Sequence, residues 1–137
     1  IGTRTGADAI DISHASVEIS NIRINRTTDK GLSIGESAKV KVQNMSIEDA
    51  LVGIAVKDSS FLEAKKLKFS EISLANIMAY IKKPHHDGAN VYIEDIQASE
   101  SIYINQKGSK MIVDNQTIMP RKIDVDSMYD SFMKSIK

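Results

Sequence analysis

The chain has 137 residues, 18 of them basic, 18 acidic and none cysteine. That length suits one domain with a continuous core, and the charge balance argues against nucleic acid, whose recognition leaves a basic excess. Disulfide bracing and thiolate chemistry are excluded, and no run of about 18 apolar residues offers a membrane span.

The first element is a short alternation, Ile10 and Ile12 apolar, Asp11 and Ser13 polar. Side chains of a strand alternate between two faces, so this reads as a strand with Ile10 and Ile12 turned inward. Two more alternations follow, Val17/Ile19 and Ile22/Ile24, and then the phrase starts again. Leu32/Ile34, Val40/Val42 and Met45/Ile47 make the second copy, and Ile54/Val56, Leu62/Ala64 and Leu67/Phe69 the third. The fourth runs from Ile77 through Val91/Ile93 to Ile96/Ala98. Ile10, Leu32, Ile54 and Ile77 thus mark a period of 22 or 23 residues. A unit of that length cannot bury its own inner side; stacked on its neighbours it becomes one coil of a solenoid. Alternation by two dominates, so a helical repeat does not fit.

Gly31 and Gly53 precede the first strand of their copies, where a bend tolerates glycine. Asn21 and Asn44 stand at equivalent corners and are expected to form a ladder only two deep, because Lys66 and Asp95 take the next places. From Leu62 to Val91 is 29 residues, against 22 from Val40 to Leu62. The excess falls at residues 82–88, a polar stretch with Pro and Gly that reads as an inserted loop. A fifth coil is expected from Ile102/Ile104 and Met111/Val113, with Tyr103 and Asn105 outward. After Pro120 the period changes: Val125, Met128, Tyr129, Phe132, Met133 and Ile136 share one helix face, with Asp124 or Asp126 as its cap. The expected fold is all-β, a right-handed parallel β-helix solenoid of about five coils over residues 1–119, followed by an amphipathic capping helix over 120–137. Ile1 is an unusual natural start, so upstream coils of the same chain are expected.

Phrases such as Asp29-Lys30-Gly31-Leu32-Ser33-Ile34-Gly35-Glu36 and Val52-Gly53-Ile54-Ala55-Val56-Lys57 resemble coils of the right-handed parallel β-helix superfamily, the fold of pectate lyases. The resemblance covers about residues 7–118 and implies an extracellular or cell-surface protein. It leaves activity open, because members include lyases, hydrolases, epimerases, adhesins and stalks. Order and spacing are also similar to polygalacturonase motifs: an Asp-Asp pair, then Gly-His-Gly-Leu-Ser-Ile-Gly, then Arg-Ile-Lys. Here Ala7, Lys30 and Ala55 stand in place of the first aspartate, the histidine and the arginine; Asp8 and Lys57 remain. Glycoside hydrolysis needs a proton donor and a base or nucleophile, so the departures fall on the chemistry.

No catalytic set is therefore expected; Asp8, Asp11 and Lys57 are the nearest acid and base candidates. The resemblance places polysaccharide on the first-strand sheet, whose outward positions would be Asp11, Ser13, Ser33, Ala55, Lys57, Met78, Tyr80, Tyr103 and Asn105. Tyr80 and Tyr103 on adjacent coils would make an aromatic platform for a sugar ring beside Lys57 and Asp11, or would simply pair across coils. His85, His86 and Asp87 are metal-ligand types in the inserted loop, although adjacent histidines rarely chelate one ion alone and a solvated loop is the alternative. His14 has no acid beside it in sequence. Lys39, Lys41, Lys65, Lys66 and Lys68 would attract an anionic glycan, or form a solvated face balanced by Glu18, Glu36, Glu48 and Glu63. No cofactor is expected; the resemblance admits calcium, for which the chain has no acidic loop motif. The expected function is a non-catalytic scaffold of a secreted or surface protein with polysaccharide as candidate partner. The alternative is part of a polysaccharide lyase, hydrolase or epimerase whose catalytic coils lie partly upstream, and a stalk or assembly module is the third.

Overall fold

Each coil turns where a residue takes a positive φ. His14, Glu36 and Asp58 turn the first corner, Asn21, Asn44, Lys66 and Asp95 the second, and Arg26, Asp49 and Glu71 the third. The left-handed region costs most residues free energy and Asn and Asp least, because their short side chains bond locally. At the second corner the Asn44 amide donates to the Asn21 side-chain oxygen at 2.8 Å, the expected ladder.

A computed structural model of the chain describes residues 8–135. Within them the strands are β1 (Ile10–Ser13), β2 (Ser16–Asn25), β3 (Lys30–Gly35), β4 (Lys39–Lys57), β5 (Phe61–Tyr80), β6 (Asn90–Ala98), β7 (Tyr103–Asn105), β8 (Lys110–Val113) and β9 (Gln116–Thr117), followed by helix α1 (Val125–Ser135). They form a parallel β-solenoid of about five coils. The first side stacks Ile10 on Leu32, Ile54 and Ile77. The second stacks Val17, Val40, Leu62, Val91 and Met111, and the third Ile22, Met45, Leu67 and Ile96. These are the rows read from the sequence. The register shifts between Ala50 and Val52, which face Ile72 and Ala75, so one extra residue enters the third corner there.

The inward rows make one interior cluster in which Leu32, Ile34, Val40, Ile54, Leu62, Ile77, Val91 and Met111 are fully buried. Burial contributes about 1.5–3 kcal/mol per large aliphatic side chain, the main term holding the stack together. Gly31 and Gly53 matter for a different reason from the one expected. A Cβ on Gly53 would meet the Phe69 ring and the Asn76 carbonyl oxygen at 2.5 Å, so the third side's large side chains occupy that space.

Coil five departs from the expected phase. Tyr103 stands in register with inward Ile77, and Ile104 with Met78. Tyr103 therefore packs against the interior cluster, while Ile104 points out. Beyond it, β9 folds back antiparallel on β8, and Arg121 bridges to Gln106. These short returns occupy the open backbone of the last coil, the vulnerable edge of any stacked sheet.

Asp124 caps α1, its carboxylate accepting the Ser127 backbone N–H at 3.1 Å. Val125 is buried in a second apolar cluster with Ala55, Met78, Tyr80 and Ile104, and Ile123 and Met128 pack against it. The start of the helix thus lies against the outer face of the first side. Tyr129, Phe132, Met133 and Ile136 fall outside the residues whose side chains are described, as do Ala7 and the expected upstream coils.

Candidate functional site

The outer face of the first side is mostly closed. Ser33, Ala55 and Met78, read as outward and solvent-facing, are 0% exposed, and Tyr80 is 4% exposed. Ala55, Met78 and Tyr80 do point out of the coil, but into the second cluster under the chain's own C-terminal segment. That segment is fastened by polar contacts. Gln106 donates to the Ile123 carbonyl at 2.9 Å, and the Asn105 amide to the Ile118 carbonyl at 2.9 Å. Tyr80 and Tyr103 consequently lie on opposite faces of the sheet and make no platform. Burial pushes the Tyr80 hydroxyl pKa far upward, and the carboxylates of Asp29, Asp8, Asp58 and Asp126 add to the effect.

Beside this closed patch charge gathers along the first side, starting where its strands begin. The Lys30 ammonium lies 2.9 Å from Asp29 and 3.7 Å from Asp8, and the Lys30 backbone N–H donates to Asp8 at 3.2 Å. Burial raises the Asp8 carboxyl above its ordinary value against the pull of Lys30. The Lys57 stem lies over Gly35, within 3.0 Å of where a Cβ would stand. Burial, then Lys30 and Lys82, lower the Lys57 ammonium, while Asp8 and Asp11 oppose the shift. The solenoid therefore brings Asp8 and Asp11 within electrostatic reach of Lys57. Asp11 is the exposed member.

The inserted loop runs where it was expected, between β5 and β6. Asp58, at the first corner, accepts the backbone N–H groups of Lys82 and Lys83 at 2.7 and 2.9 Å and so pins the loop's start. His86 meets the Ser59 hydroxyl at 3.2 Å, and the Asp87 backbone N–H donates to the same oxygen at 2.9 Å. His85 stacks on His86 with ring centroids 4.5 Å apart. Among the described residues no group of three or more His, Asp or Glu could hold a metal ion. His14, which lacks an acidic neighbour in sequence, has one in space: Glu36, which also pairs with Lys83. The Lys83 bond holds the Glu36 carboxyl below its usual range.

The second side presents the opposite surface. Its outward rows are exposed and charged, with Lys41 facing Glu63 at 4.0 Å and Lys65 facing Glu94 at 3.8 Å. Tyr92 continues the Glu18, Lys41, Glu63 row. Its ring lies 5.5 Å from that of Phe61, and the Lys110 ammonium stands 5.7 Å from its centroid. Between the two rows runs a groove of about 420 Å³, floored by the strand at Ile19, Val42 and Ala64. Phe61 and Tyr92 thus form an aromatic pair on neighbouring coils of the second side. Phe61 stands in register with Asn90 and Tyr92 with Glu63, so the two rings meet diagonally, two residues apart in the period.

Compared with models of known protein families, with curated proteins and with solved structures, the chain matches none. The class rests on the fold itself, a parallel β-solenoid. No helix among the described residues is long and apolar enough to cross a membrane.

Proposed function

We propose that this chain is a non-catalytic scaffold segment of a secreted or cell-surface protein, pectate-lyase-like in its coils, that carries carbohydrate on an outer side of the solenoid. One observation carries the proposal. Of the two candidate acids, Asp8 is engaged with Lys30, which Asp29 also holds, while Asp11 lies exposed, beside a face filled by Met78 and Tyr80. Two carboxylates flanking a scissile bond are what glycoside hydrolysis requires. A rigid charged side elsewhere on the same coils offers binding without that chemistry.

The second reading is a polysaccharide lyase, hydrolase or epimerase whose remaining coils lie upstream. It is favoured by the lowered Lys57 ammonium next to the raised Asp8 carboxyl, since opposed shifts in one cluster suit acid–base work. A glycan array, followed by incubation with each glycan bound and chromatography of the products, separates the two. Selective binding without cleavage is expected. Cleavage abolished in Lys57→Met would replace the scaffold reading by the enzymatic one. Binding to no glycan would remove both and leave a stalk or assembly role.

A further inference from the structure

We infer that the groove on the second side binds an uncharged, extended oligosaccharide lying along the solenoid axis, with Tyr92 as its stacking residue. The inference rests on the carbohydrate reading above and names the site and ligand class within it. The groove crosses four coils, from Glu18 on β2 through Lys41 and Glu63 to Tyr92 on β6. Successive coils are spaced about 4.8 Å apart, so the groove repeats its wall groups over roughly 14 Å. A pyranose unit in an extended chain advances by a comparable step. Three or four sugars can therefore place their hydroxyls at equivalent positions along the walls.

The charge of the walls selects the ligand. Lys41 is compensated by Glu63 and Lys65 by Glu94, while Glu18 adds one more carboxylate. A polyuronate would gain nothing from this field, because the groove carries no net positive charge to attract it. Hydroxyls gain more, since each donates to a carboxylate or accepts from an ammonium already held in place. At the β6 end the Tyr92 ring supplies flat apolar area with a polar edge, and Phe61 supports it at 5.5 Å. This ligand departs from the anionic glycan that the lysines alone suggest.

The test is calorimetric titration of the folded protein with cellotetraose, mannotetraose and tetragalacturonate, each at low and high salt. At least one neutral tetrasaccharide should bind saturably with little salt dependence. Tyr92→Ala should weaken that binding tenfold or more and Tyr92→Phe should largely retain it, with circular dichroism showing all variants folded. Undiminished binding in Tyr92→Ala would overturn the site while leaving carbohydrate binding intact. Preference for tetragalacturonate that fades in salt would overturn the ligand class. Absence of binding by both neutral probes would overturn the inference, and the array above then decides whether any carbohydrate reading survives.

Discussion

The first and second sides of the solenoid are built by the same two long strands, β4 and β5, yet their outer faces end in opposite states. On the first side Met78 is 0% exposed, while on the second side, in the same strand, the Glu63 side chain is 57% exposed. Both residues point out of the coil. Alternation decides only which way a side chain points relative to the strand; what lies beyond the sheet decides whether water reaches it. The first side is met by Ile123, Val125 and Met128 of the C-terminal segment, and it becomes a sheet with apolar matter on both faces. The second side meets nothing among the described residues and keeps charged ladders. A binding role is therefore better placed on the second side, where the surface is regular, wet and rigidly spaced.

Substitutions at five positions sharpen the contrast. The largest effect belongs to the interior that both sides share: Ile34→Asp places an unpaired charge in the core, at a cost of several kcal/mol, and should abolish the thermal transition. A variant melting like the parent would mean that the inward rows are misassigned. Next, Met78→Ala should destabilise by about 2–5 kcal/mol, as for a core methionine, whereas Glu63→Ala should stay within about 0.5 kcal/mol. Equal denaturation midpoints for these two variants would erase the difference between the faces. At the second corner, Asn44→Gly keeps the positive φ and loses only the bond to Asn21, whereas Asn44→Ala loses both. Urea denaturation should show a loss of about 1 kcal/mol for the first and about twice that for the second.

The smallest effect is a gain. Burial lowers the Lys57 ammonium, so between its lowered folded value and 10.5 the unfolded chain binds more protons than the folded one. Stability rises with pH through that window, and the cost of Lys57 is fully present below it. Lys57→Met should accordingly melt a few degrees above the parent near neutral pH, with the gain shrinking as pH rises through the window. A gain that does not vary with pH would point to packing over Gly35 instead.

Much of the fold was legible because a stacked repeat writes the same phrase many times. The rows starting at Ile10, Val17 and Ile22 keep their register through four coils, and the Asn21–Asn44 pair sits where the period places it. The failures share one cause. At Ile102, Tyr103 and Ile104 the outer face is apolar too, so alternation no longer distinguishes in from out, and the phase of β7 was read backwards. The run Ile77-Met78-Ala79-Tyr80, with no polar residue on either face, was the sign that this side is covered twice. What covers it was not readable, because contact between α1 and β5 depends on the path of the chain between them. The charged cluster of Asp8, Lys30 and Lys57 was partly legible, since residues one period apart stack, and the same rule reaches the His14–Glu36 pair; the tie of Glu36 to Lys83 depends on a loop of irregular length and was not legible.

Since the chain has no cysteine, single thiols can report on the two faces without interference. The deciding measurement is the rate of maleimide labelling of Met78→Cys and Glu63→Cys under native conditions, each compared with its rate in denaturant. The thiol of Glu63→Cys should react nearly as fast as in the unfolded chain, and that of Met78→Cys orders of magnitude more slowly, limited by opening of the C-terminal segment. Equal and rapid native labelling at both positions would show that the first face is open, and would return the binding surface to it.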